Sequence, residues 1–413
     1  MAPVNSEYEA RPAPDALIIR TLWPVLLAAV IGLFPFTVYS TFLVPISEAA
    51  GQELAVVGVL RGLGGVAALI VGVALAPLIT RWSAPYTAAA SLALLSATSL
   101  IGTAGTLPAL VVFCVGIGAA TAVLTPTLLK FATAVFARRG DAGRAATIVT
   151  ATQSLAAVLA APIIGAIGWW GGWHGALWVT AGAAALVALL FVRPGRRSGV
   201  LSTPPLRYAE AFLLLCRRPD LLALIGIAFL RTTAFMGCLA FLAAHYHDRF
   251  ALDPSAFTLV WTLSGSSFFV GNFLAGRWAR SSALRQRGLL CSGLLVAAAA
   301  VGIVFAAETL PLALTGTALM GFSHAIVAAL VTTLIGDRGD ELMASAYSIN
   351  AAGMSLGVFA GAFIAGIGFS LGAGPGTAVS LLIPTLGALV LVPAAVRRRS
   401  TGSDDAGAPQ SVG

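Results

Sequence analysis

The stretch HGALWVTAGAAALVALLFVR, from His174 to Arg193, decides the fold. No charged side chain falls between its two end residues, and a helix of about 20 apolar residues crosses the roughly 30 Å hydrocarbon core of a bilayer. Directly after it come Pro194, Arg196 and Arg197, which a bilayer core would not accept. Outward in both directions the same alternation of long apolar run and short polar break recurs. It predicts spans at about 20–46, 54–78, 84–103, 107–136, 145–168 and 174–193, then 220–246, 256–276, 288–306, 309–335, 342–369 and 377–396. Composition agrees: the 413 residues are 58% hydrophobic and 10% charged, with a mean hydropathy of +0.94, against about 25% charged in an ordinary soluble domain. The expected class is an all-α membrane protein with 12 transmembrane helices.

The charges set the expected organisation. Alternate connections carry Arg81, then Arg138, Arg139 and Arg144, then Arg193 to Arg218, then Arg277, Arg280, Arg285 and Arg287, then Arg338, and last Arg397 to Arg399. The opposite connections hold Glu48, Glu53, Asp248, Arg249, Asp253 and Glu308. By the positive-inside rule both termini are expected on the cytoplasmic side. The segment 1–19, with three prolines and no basic head before its acidic residues, reads as a disordered cytoplasmic tail rather than a cleaved leader. The expected domains are a six-helix half at 20–193, a cytoplasmic linker at 194–219, a second six-helix half at 220–396, and a disordered tail at 397–413. Asp253 before Pro254 reads as a helix N-cap, and Ser83 with Pro85 likewise.

The formal net charge of +8 and pI near 9.9 would suggest nucleic acid in a soluble protein; here the arginines lie in short turns, so no nucleic-acid partner is expected. Of 24 basic residues one is a lysine, Lys130, a composition that fits a GC-rich bacterial genome and a bacterial cytoplasmic (inner) membrane. Cys114, Cys216, Cys238 and Cys291 show no paired spacing. His245 and His247 stand two apart and do not face one way on a helix, so neither metal nor other cofactor is expected. The lack of a G-x-x-x-x-G-K-[ST] loop leaves an ion or substrate gradient as the energy source.

An internal repeat follows from two matches at one offset. Gly72-Val73-Ala74-Leu75-Ala76, running to Arg81, recurs as Gly271-Asn272-Phe273-Leu274-Ala275, running to Arg280; Arg139-Gly140-Asp141 recurs as Arg338-Gly339-Asp340. Both pairs are 199 residues apart and fall on corresponding turns. With these features the chain resembles the major facilitator superfamily over essentially all its spans, and within it the drug:proton antiporters and sugar-efflux-like permeases. The family's gating turn G-x-L-a-D-R-x-G-R-R is matched by Gly72 and Arg81, with Pro77 at the Asp position, and by Gly271, Leu274, Gly276 and Arg277. The family's fifth-span G-P-x-x-G is similar to Ala161-Pro162-Ile163-Ile164-Gly165, while the antiporters' fourth-span arginine is replaced by Val112. The resemblance implies two six-helix pseudo-repeats around a central cavity, with spans one, four, seven and ten lining it.

Ionisable groups at bilayer depth cost about 2.5 to 3.5 kcal/mol on insertion scales and are functional candidates by default. Arg231 lies mid-span and either binds substrate or caps helix carbonyls. Arg61, nearer the outside, either binds substrate or snorkels to the interface, and the same choice stands for Lys130 near the inner end. His324 could relay protons or pack as a core histidine. On the family's mapping Tyr39, Lys130, Arg231 and His324 come from the cavity-lining spans, and no carboxylate lies well inside any span. Such a cavity should attract anions or neutral polar solutes, with Arg231 holding the anion bidentately. Proton coupling falls to His324 or Glu48.

The expected function is therefore secondary active transport of a small organic solute, exported against proton entry by a monomer, with the cationic cavity pointing to an anionic one. Uptake of a small anion by the same fold is the other reading. A membrane-embedded enzyme would need catalytic carboxylates, a metal set or a nucleophile motif, and the sequence offers none.

Overall fold

The computed structural model describes residues 14–136, 141–192, 208–278, 283–339 and 342–396, and all regular elements among them are α-helices. Backbone polar groups find no water in a bilayer core, so a spanning chain must satisfy them within itself. The expected tails up to residue 13 and from residue 397, the turn at Arg138 and Arg139, Arg280, and most of the 194–219 linker lie outside the described residues.

The first span is broken into α1 (Asp15–Ile31), α2 (Phe34–Thr41) and α3 (Leu43–Ala50). The breaks have a local cause: Pro35 has no N–H to give Ile31, and Pro45 none to give Thr41. Then follow α4 (Leu54–Arg81), α5 (Ala84–Gly102) and α6 (Leu107–Phe136). The 51 residues of α7 (Ala142–Val192) would reach about 77 Å if straight. Instead α7 turns at Gly172, whose φ of 58° and ψ of −159° belong to glycine alone. Ala145 and Val149 from its first arm consequently share a core with Ala184, Val187 and Phe191 from its second. The second half comprises α9 (Pro219–Phe250), α10 (Pro254–Trp278), α11 (Ala283–Ala306), α12 (Leu310–Gly339), α13 (Met343–Leu371) and α14 (Pro375–Ala395), preceded by the short α8 (Tyr208–Cys216). Eleven described stretches are long and apolar enough to cross a membrane; with α7 crossing twice, the bundle has twelve spans in two halves of six.

Within the 194–219 segment the short α8 folds onto the second half and buries Leu215 in its core. Ser83 stands at the N-cap of α5 as expected but caps no amide with its side chain; Thr87 donates its hydroxyl to Ser83 O at 3.0 Å. Asp253 does cap α10, accepting from Ala256 N at 2.7 Å.

The halves meet along two seams, α4 on α13 and α7 on α10. Glycine sets how closely: a Cβ at Gly65 would lie 2.4 Å from Ser355 O, one at Gly165 2.3 Å from Thr258 Cγ2, and one at Gly265 2.6 Å from Ala157 O. The cores then reveal the conformation. At the arginine-rich end each half keeps its own core, Ile18 to Phe191 in the first and Leu215 to Val396 in the second, with no described residue of the other half in either. At the opposite end the cores are shared: Ala244 of α9 joins Phe42, Ile46 and Trp173, and Leu54 and Val59 pack against the second-half core. The bundle is sealed at the acidic end and parted at the arginine-rich end.

Two predictions follow from this geometry. In a variant lacking the four native cysteines, Thr125→Cys, exposed on α6, is expected to react with a membrane-impermeant maleimide offered to the arginine-rich face, whereas Ala244→Cys, fully buried in the seal, is not. Gly65→Leu should overpack the α4–α13 seam and destabilise the protein by about 1 to 3 kcal/mol, read as a lower melting temperature in detergent.

Candidate functional site: a cationic cavity between the halves

A cavity of about 210 Å³ lies where the two halves face one another. Its wall takes Leu33, Phe36 and Thr37 from the broken first span, Arg61 from α4, Ala157 and Ala161 from α7, Phe235, Met236 and Leu239 from α9, and Trp261, Ser264, Gly265 and Phe268 from α10. Helical spacing explains the set: Phe235 with Leu239, and Trp261 with Ser264, Gly265 and Phe268, each recur at three or four residues and share one helix face. A second depression of about 310 Å³ borders it through Leu33 and Phe36 and is lined further by Thr121, Thr125 and Gln153. It runs toward Ala28 on α1 and Leu128 on α6, the direction of the arginine-rich end.

Arg61 brings the cavity its charge. The residue is only 7% exposed, so it does not snorkel to the interface. Its guanidinium carbon stands 5.9 Å from the centre of the Phe36 ring, within cation–π range. Its Nε and Nη1 have no hydrogen-bond partner, and no ion pair among the described residues involves it. An arginine stays charged, and a buried charge without partners costs several kcal/mol. Beside it the Trp261 indole Nε1 is likewise buried without a partner. Phe235 and Phe268 stack across the wall at 5.5 Å with 22° between their planes.

The other candidate residues lie elsewhere. Arg231 is 4% exposed and sits one turn from Phe235 on α9, outside the cavity lining. It gives Nη2 to Thr232 Oγ1 at 3.0 Å and Nη1 to His324 O at 3.4 Å, while Nε has no partner. His324, fully buried on α12, packs its ring 4.9 Å from Phe235, with neither ring nitrogen bonded. Phe235 thus separates the His324 ring from the cavity it lines. Tyr39 is buried on the first-half side, giving its hydroxyl to Val57 O at 2.6 Å. Lys130 ties off the end of α4, donating Nζ to Ile79 O at 2.9 Å and Trp82 O at 2.8 Å. Glu48 is exposed on α3. Val112, at the antiporter arginine's position, is 46% exposed on α6.

The motif residues serve the frame. Pro162 follows the wall residue Ala161, and Gly165 makes the close approach to Thr258 described above. Arg81 is exposed at the end of α4. A Cβ at Gly72 would make only ordinary contact with α6, 3.9 Å from Ala122 Cβ, whereas one at Gly271 would press on Phe322 O at 2.5 Å. Gly276 and Arg277 fall in the last turn of α10, and the Arg277 side chain lies outside the described residues. Sequence reasoning missed Phe36, Phe235, Trp261 and Phe268. Aromatic residues inside uniformly apolar helices give no contrast by which to single them out. Among the described residues no group of three or more His, Cys, Asp or Glu could hold a metal ion.

Comparison with known proteins places this architecture. The crystal structure of a bacterial homolog of the human lysosomal transporter Spinster, in an inward-facing and unoccupied conformation, is similar with a TM-score of 0.72 and 16% identity over 93% of this chain and 96% of that one. The nucleoside transporter NupG is similar at 0.71 and 13% identity, over 90% and 97%. The human organic anion transporter MFSD10 follows at 0.60 and 15%, over 92% and 100%. At these identities the likeness is one of fold. No curated protein matches the chain in sequence. The family model described as Major Facilitator Superfamily matches residues 25–362, and with two six-helix halves closing on a central cavity, the chain belongs to that superfamily of membrane transporters.

Proposed function

We propose that this protein is a secondary active transporter of the bacterial cytoplasmic membrane that moves a small organic anion by alternating access, exporting it against proton entry, with both termini cytoplasmic. The observation that carries the anion assignment is Arg61, a buried guanidinium at the cavity wall with two donor groups unspent and no acidic partner. A carboxylate or similar group would supply the acceptors that the fold leaves out. That a fold neighbour is named as an organic anion transporter agrees with this reading. The parted arginine-rich end gives the cavity an approach from the side on which an exporter loads. The two halves enclose the cavity within one chain, so a monomer suffices.

His324 is the proposed proton carrier. It is buried with both ring nitrogens unbonded, and its own carbonyl accepts from Arg231. A proton on its ring would meet the Arg231 charge at close quarters, which would bias the α9–α12 contact toward separation. Arg231 therefore acts in this proposal through His324 and by adding positive potential beneath the cavity. Glu48 meets bulk water on α3 and carries no coupling role in this reading. Uptake of the same anion is the second reading, favoured by Val112 where the resembling antiporters carry an arginine.

In everted membrane vesicles energised with protons, organic acids are expected to accumulate, and a protonophore to abolish accumulation. Arg61→Gln removes hydrogen bonds to a charged partner worth about 1.5 to 3 kcal/mol, so transport at limiting substrate should fall roughly tenfold to a hundredfold. His324→Gln should keep downhill exchange and lose uphill accumulation. Robust export of a permanent cation, unchanged in Arg61→Gln, would overturn the anion assignment. Accumulation in right-side-out vesicles alone would replace export by uptake.

A further inference from the structure

We infer that the substrate is a small planar aromatic carboxylate, one ring with its acid group and a polar substituent, held acid-first on Arg61. The inference rests on the anion reading above and narrows it by three features of the same cavity. The first is size. At about 210 Å³ the cavity lies below the roughly 300 to 1,000 Å³ usual for ligand pockets, so it suits a compact ligand, and a single ring bearing a carboxylate is of that kind.

The second is wall chemistry. Beside Arg61 and small or aliphatic residues, the cavity presents four aromatic rings, Phe36 on one half and Phe235, Phe268 and Trp261 on the other. Aromatic walls favour a planar partner through offset and edge-on contacts worth about 0.5 to 1.5 kcal/mol each beyond buried area. The rings also come from both halves, so a ring bound between them touches both halves together.

The third is the donor inventory. Arg61 supplies one positive charge with Nε and Nη1 unspent, and Trp261 Nε1 is a further donor without an acceptor. One guanidinium matches one carboxylate and undercompensates a doubly charged phosphate. Arg231 and Lys130 stand outside this wall, with Arg231 donating to Thr232 and Lys130 to the end of α4. An acceptor on the ligand, such as a ring hydroxyl, would satisfy the indole donor.

The test is a binding measurement on the detergent-purified full-length protein, by thermal shift and by quenching of tryptophan fluorescence. The probes are 4-hydroxybenzoate, cyclohexanecarboxylate, 4-hydroxybenzamide and a tetraphenylphosphonium cation. The expected order is 4-hydroxybenzoate tightest, by at least about tenfold in Kd over the saturated acid and over the neutral amide, a gap of about 1.4 kcal/mol. In Arg61→Gln the preference for acid over amide should vanish, and in Phe268→Leu the preference for aromatic over saturated acid should shrink while the preference for acid over amide survives. Phe268→Leu keeps the charge in place, so it tests the proposal even if Arg61→Gln fails to fold. Equal binding of the aromatic and saturated acids, still lost in Arg61→Gln, would overturn the aromatic assignment and leave the anion reading standing. Binding of the cation in place of the acids, or of no acid at all to folded wild-type protein, would overturn both.

Discussion

The close approach of α4 to α13 and of α7 to α10 is the constraint from which the other features follow. Small residues make it: Gly65 against the Ser355 carbonyl, and Gly265 against that of Ala157. In a bilayer apolar side chains gain little by leaving lipid for one another, so association rests on backbone proximity and packing. Pressing two pairs of helices together at their backbones fixes the spacing of the halves elsewhere. The space that is left, between the broken first span, α9 and α10, is the cavity. A bulky residue at either seam would disturb the site without touching it.

The same seams join the halves between the two ends of the bundle, and the cores show which end is shut. The shared cluster around Phe42, Trp173 and Ala244 closes one end, and the separate clusters at the arginine-rich end leave the other divided. Opening the sealed end would expose that shared apolar surface, so the opposite conformation must gain something comparable in return. A ligand touching both halves, with its charge on Arg61 of one and its body against Phe235 and Trp261 of the other, is placed to shift that balance.

Charge is distributed with the same economy. Lys130 and Arg338 serve helix ends, Lys130 on the carbonyls of α4 and Arg338 on Ala395 O. Arg144 pairs with Asp15 at 2.5 Å and Asp141 at 3.1 Å. Arg61 and Arg231 are the buried arginines among the described residues, and both keep donor atoms without acceptors. A bundle so thorough in satisfying its helix ends leaves these groups unsatisfied at its centre.

Apolar runs of about 20 residues, interrupted by arginine on one side and acid on the other, were enough to set the span count, the two-half arrangement and the membrane class, because the bilayer acts on each segment separately. A lone arginine in an apolar helix could be recognised as exceptional for the same reason, and so Arg61, Arg231 and His324 stood out from the sequence. Which of them lines the cavity depended on helix rotation and on neighbours distant in the chain. Arg231 and Phe235 share a face of α9, yet Phe235 reaches the cavity while Arg231 lies a turn away beside α12. The aromatic wall was invisible for a related reason: Phe36, Phe235, Trp261 and Phe268 are apolar residues among apolar residues, and only the packing of α2, α9 and α10 turns them toward one space. Insertion into a membrane is a property of each segment; a binding site is a property of how segments rotate and pack against one another, and that only the tertiary structure decided.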